Sequence, residues 1–136
     1  MKEPHVTSDI RYHFVWCTKY RAPILSKEIR PICVDLIRRE CTKHHLIIDQ
    51  GKVAPDHIHL VIRSPCSLSP SEIMNYVKGA VSHDLLALHP ELTENQPKRN
   101  LWARGFYVAS VGRVDPAIVE NYLLQHTGTE IEEELE

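Results

Sequence analysis

The feature that most constrains this chain is a pair of strand-like stretches, residues 46–53 and 57–63, separated only by Ala54-Pro55-Asp56. Three residues leave no room for a crossover, so the two stretches are expected to run antiparallel as a hairpin. In the second stretch Ile58, Leu60 and Ile62 alternate with His57, His59, Val61 and Arg63. A period of two predicts one face in a core and the other turned away from it.

Other elements follow from similar patterns. Ile10, Tyr12, Phe14 and Trp16 alternate with Arg11, His13, Val15 and Cys17, which predicts a first strand over 10–17. Ile29, Ile32, Cys33, Leu36 and Ile37 recur at helical spacing, predicting a helix from a cap at Ser26 to about His44, with Pro31 near its first turn. Ser69-Pro70-Ser71-Glu72 reads as a capping box with proline at the first helical position, opening a helix to about Leu88 that His89-Pro90 stops. A fourth strand is expected over Phe106–Val111, and Asp115-Pro116 should start a last helix reaching about Thr127. Residues 1–8 read as a loose arm, and 90–100 as loop. The order βαββαβ, with one further helix, predicts an α+β, ferredoxin-like antiparallel sheet with helices on one face.

The chain has 136 residues, enough for one domain, here 1–129, followed by a tail over 130–136. The formal net charge of -2 is unevenly spread. Residues 130–136 hold five of the 18 acids, leaving 16 bases against 13 acids, a net of +3, over 1–129. No apolar run approaches the roughly 18 residues of a membrane span. Met1-Lys2-Glu3-Pro4 leads into no apolar segment, so no secretory signal is expected. The four cysteines lack C-x-x-C spacing and are expected to be reduced thiols of a cytoplasmic protein.

Three sets of residues could carry chemistry. His57 and His59 should project from one strand face about 6–7 Å apart at their bases. They could converge on a divalent metal, or they could be half-buried histidines bonded to neighbours. On the last helix Tyr122, Gln125 and His126 stand at i, i+3 and i+4 and share a face. They could form a phosphoryl-transfer site, or be a core tyrosine beside polar helix-end groups. Finally, Lys19, Tyr20, Arg21, Lys78 and Arg104 belong to a scatter of cations and aromatics of the kind that grips single-stranded nucleic acid.

In order along the chain, Tyr12-His13-Phe14-Val15-Trp16-Cys17-Thr18-Lys19-Tyr20-Arg21, Pro55-Asp56-His57-Ile58-His59-Leu60, Tyr76-Val77-Lys78-Gly79, Leu101-Trp102, Gly105-Phe106-Tyr107-Val108, Val111-Gly112 and Tyr122 are co-linear. The set resembles the single-tyrosine HUH transposases of minimal bacterial and archaeal insertion sequences, where HUH denotes histidine–hydrophobic–histidine. The resemblance spans about residues 9–127.

It implies Mg²⁺ or Mn²⁺ held by His57, His59 and a polar residue of the tyrosine helix. It also implies Tyr122 as nucleophile, a homodimer with active sites shared between subunits, and hairpin-bearing single-stranded DNA as substrate. Lys19, Arg21 and Lys78 are the expected DNA contacts, and His13 is expected to be structural. The family places a glutamine four residues after the tyrosine. Here that position is His126, and Gln125 comes three after, so the third ligand stands open between them; a histidine would favour Mn²⁺. Two rival functions remain: a domesticated relative acting on chromosomal repeat hairpins, and a non-catalytic single-stranded nucleic-acid-binding module.

Overall fold

A computed structural model describes residues 1–111, 116–124 and 133–134. The predicted hairpin is present: β4 (Ile47–Val53) and β5 (His57–Ser64) are antiparallel and joined by Ala54-Pro55-Asp56. Val53 pairs with Ile58 and Ile48 with Ile62, with a bulge between Ile48 and Gln50. The first predicted strand is β3 (Ile10–Cys17), which sits between β5 and β6 (Tyr107–Ser110), antiparallel to both.

The spatial order β6-β3-β5-β4 is the ferredoxin-like arrangement. A short outer strand β7 (Glu133–Glu134) pairs with Lys52 and Val53 of β4, so part of the stretch read as a tail joins the sheet edge. The first eight residues are also more ordered than the sequence suggested. β1 (Lys2–Glu3) and β2 (Val6–Thr7) form a small hairpin turned at His5, whose φ is 65°. The Glu3 carboxylate accepts from the Cys66 backbone N–H at 2.9 Å and docks that hairpin on the body.

Alternation decides the layers. Phe14, Trp16, Ile58, Leu60 and Ile62 are wholly buried on one sheet face. Helix α1 (Ile29–Lys43) covers them with Cys33 and Ile37. Ser26 does not cap α1 with its side chain; its carbonyl accepts from the Ile29 and Arg30 N–H groups, while Pro31 sits in the first turn, where no intrahelical donor is needed. At the far end His45, at φ 59°, closes the helix, and the Leu46 N–H reaches back to the Cys41 carbonyl at 2.8 Å.

The second covering helix has the predicted start. Ser69 Oγ accepts from the Glu72 N–H, and the Glu72 carboxylate accepts from the Ser69 N–H. It is not one uniform helix, however: α2 (Pro70–Met74) passes through a π-helical turn (Asn75–Gly79) into α3 (Ala80–Leu88). The Lys78 carbonyl in that turn accepts from the Trp102 indole at 2.9 Å. Trp102 meets Trp16 edge to face at 5.9 Å, fastening loop and sheet together. All four cysteines are free thiols. Among the described residues no helix is long and apolar enough to cross a membrane.

Ile58 lies between the two histidines and is fully buried. Ile58→Ala should cost about 2–5 kcal/mol, measured as a lower urea midpoint with an unchanged slope.

Candidate metal centre and tyrosine helix

The opposite sheet face is where polar side chains gather. The β3–β5 register sets Cys17 across from His57 and Val15 across from His59. Both imidazoles therefore share a face with Val15 and Cys17. Helix α4 (Pro116–Leu124) packs there, burying Val119 and Leu123 against Val15 and Cys17, with Tyr107 and Tyr122 alongside.

The imidazole rings of His57 and His59 lie 5.0 Å apart at an interplanar angle of 66°. His57 is completely buried. Its Nδ1 is 2.7 Å from an Asp56 carboxylate oxygen. A carboxylate can only accept, so Nδ1 carries a proton, and in the neutral ring the lone pair is then on Nε2. The other Asp56 oxygen forms an ion pair with Arg21 Nε at 2.9 Å, and both side chains are buried. Arg21 Nη1 donates to the Leu123 carbonyl of α4. Asp56 is fixed from behind as well, because its carbonyl accepts from the Thr18 N–H at 3.0 Å.

His59 is half-buried. Its Nδ1 lies 3.4 Å from His13 Nε2, with the rings nearly parallel and 5.6 Å apart. Burial holds the His13 pKa below its ordinary value, which favours the neutral ring. His13 also meets Tyr107 edge-on at 6.1 Å, and Tyr107 lies 5.8 Å from Tyr122. His13, expected to be structural, thus touches the histidine pair directly.

The donor chemistry fits a divalent ion. Two imidazoles from one strand approach each other, and at His57 the Nδ1 proton is committed to a carboxylate, so coordination would fall to Nε2. Among the described residues no three His, Cys, Asp or Glu side chains form a metal-holding group. Gln125 and His126, the two expected third ligands, lie outside the described residues. Tyr122 is half-buried; burial, with a smaller contribution from Cys17, pushes its phenol up to about 12.

The expected DNA contacts divide. Tyr20 is 74% exposed, with Lys19 Nζ 5.4 Å from its ring centroid, and Arg104 is exposed. Arg21, by contrast, is 2% exposed and engaged with Asp56, so its guanidinium faces the interior and not a phosphate. Lys78 turns inward too: its ammonium donates to the carbonyls of Ala103 at 3.0 Å and Gly105 at 2.7 Å, bracing that loop.

Residues 6–126 match the family described as "Transposase IS200 like", and the chain belongs to that family. It is 30% identical over 119 residues to the transposase for insertion sequence element IS200 of Salmonella typhimurium, spanning 88% of this chain and 78% of the relative. It is 26% identical over 114 residues to the ISDra2 transposase TnpA of Deinococcus radiodurans, spanning 84% and 81% of the two chains.

Two solved structures share the fold. A crystal structure from Deinococcus radiodurans, assigned there as a transposase, superposes with a TM-score of 0.86 at 24% identity, covering 95% of this chain and 99% of the other. A REP-associated tyrosine transposase bound to a REP hairpin gives 0.57 at 16% identity, covering 89% and 68%.

The buried titrating groups here predict an alkaline limit on stability. Burial raises Cys17 from 9.0 to about 11 and Tyr122 from 10.0 to about 12. Both folded values are raised, so folding favours the neutral forms. Their contribution is complete below the ordinary values and is lost as pH climbs through the raised ones. The melting temperature of the metal-free protein should hold to about pH 9 and fall between 9 and 12. Tyr122→Phe should flatten the part of the fall above pH 10; a pH series of thermal melts measures both.

Proposed function

We propose that this transposase cuts and rejoins hairpin-bearing single-stranded DNA through a 5′-phosphotyrosine on Tyr122. The observation that carries the reading is the meeting, on one sheet face, of the carboxylate-backed His57, its neighbour His59, and the helix that bears Tyr122. The family membership supports DNA transposition as the setting. The hairpin bound by the REP-associated relative supports a folded single strand as substrate.

His57 and His59, with Gln125 or His126, would hold Mg²⁺ or Mn²⁺. When bound, the ion supplies Lewis-acid stabilisation to a non-bridging oxygen of the scissile phosphate. Asp56 keeps the His57 proton on Nδ1 and so directs Nε2 to the ion, and His13 lies against Nδ1 of His59. Tyr122 Oη forms a bond to phosphorus as the bond from phosphorus to the 3′ oxygen breaks. The phenol gives up a proton and the departing 3′ oxygen takes one up. A second 3′-hydroxyl then attacks the phosphotyrosine, restoring the phenol and a phosphodiester. One ester replaces another at each step, so ATP is not needed. The exposed Tyr20 and Arg104, with the half-buried Lys19, are the groups suited to holding the strand, by charge and by stacking. The family resemblance implies a homodimer with shared active sites, whereas α4 packs on the histidine face of its own chain, and mixing variant chains decides between the two arrangements.

Tyr122→Phe should abolish denaturant-resistant attachment to a labelled hairpin oligonucleotide in Mg²⁺ or Mn²⁺ while leaving hairpin binding in gel shifts intact. Covalent product persisting in that variant would remove Tyr122 from the role. Mn²⁺ should raise the melting temperature of the wild type but not of His57→Ala. Mixing Tyr122→Phe chains with His57→Ala chains should recover cleavage that neither has alone; no recovery would mean that each chain serves its own site.

A further inference from the structure

Arg21 is a buried cation that nucleic-acid binding does not explain. It stands in a 3₁₀ turn (Lys19–Arg21) directly after β3, where Tyr20 and Arg21 both have positive φ, 60° and 52°. Non-glycine residues rarely take that conformation, because it brings Cβ too close to a backbone carbonyl oxygen. The result here is to drive the Arg21 side chain inward while Tyr20 stays at the surface. Burying a guanidinium is expensive unless its charge and its N–H groups are matched. Arg21 is matched on two sides: Nε against the Asp56 carboxylate and Nη1 on the Leu123 carbonyl. Asp56 in turn holds His57 Nδ1. Leu123 is the residue after Tyr122.

We propose that Arg21 is a positioning residue that couples the histidine strand to the tyrosine helix, so that the orientation of His57 and the seating of α4 depend on one guanidinium. The planar fork is what makes this possible, since donors at fixed angles can reach two elements at once. A lysine at the same place keeps the charge for Asp56 but cannot span to Leu123 in the same geometry. The coupling rests on the proposed metal and nucleophile roles for its catalytic meaning, but not for its structural content.

The test reads each arm from the other side. Arg21→Lys and Asp56→Asn are compared with wild type in two measurements: Mn²⁺ affinity by calorimetry, and amide hydrogen exchange. Asp56 is not hydrogen-bonded to α4 in the described contacts, yet Asp56→Asn should speed exchange across 116–124 while β5 and α1 keep their protection. Arg21 pairs with Asp56, which holds His57 Nδ1, so Arg21→Lys should lower Mn²⁺ affinity by about tenfold, the usual effect of disturbing a group behind a ligand. It should also speed α4 exchange.

Wild-type values for both variants in both measurements would overturn the coupling. So would loss of protection spread evenly over the fold with Mn²⁺ affinity unchanged, which is the signature of a merely structural ion pair. A wild type that binds no Mn²⁺ would sink the metal reading alone; the exchange of α4 in Asp56→Asn would still decide the coupling.

Discussion

The register between β3 and β5 is the constraint on which the rest depends. Eight consecutive pairs, from Ile10 with Ser64 to Cys17 with His57, fix which side chains share a face. With this register Phe14, Trp16, Leu60 and Ile58 line the large core, and the histidines stand with Val15 and Cys17 beneath α4. A slip of one residue on β5 would turn both imidazoles into an apolar core and expose three branched side chains. The energy that holds the register is hydrophobic, yet what it protects is polar. The metal-binding geometry proposed here is inherited from core packing on the other side of the sheet.

Charge within the site is handled by a short chain of matched groups. Asp56 is buried between the His57 imidazole and the Arg21 guanidinium, and the Arg21 charge is also offered to a backbone carbonyl. Each member is costly to bury alone and acceptable together. His13 stands against Nδ1 of His59 where Asp56 stands against Nδ1 of His57, a ring in place of a carboxylate. The two histidines therefore have unequal support. His57 is rigidly backed and fully buried, whereas His59 is half-exposed and faces a softer neighbour. On that comparison His57 is the fixed point of the pair, and His59 is the member with room to adjust.

Much of the fold was legible because local rules dictated it. The hairpin at 54–56, the alternation of β3, and the Ser69–Glu72 capping box are short-range signals that tertiary packing did not override. The histidine pair was legible for the same reason, since i and i+2 on a strand share a face. What escaped were features created by meetings distant in sequence or by unusual backbone. His13 reaches His59 only through a register between strands 46 residues apart. Arg21 and Lys78 looked like surface cations, but a left-handed turn and a π-helical turn aimed them inward. The hairpin at His5 carries no glycine to announce its positive φ. The choice between Gln125 and His126 lies outside the described residues.

The paired left-handed residues at the end of β3 carry a mechanical consequence. Tyr20 and Arg21 are joined by one peptide unit, planar and stiff, with a ring in solvent on one side and a cation in the interior on the other. The turn thus works as a fixed partition, sending one of two consecutive side chains to solvent and seating the other among buried groups.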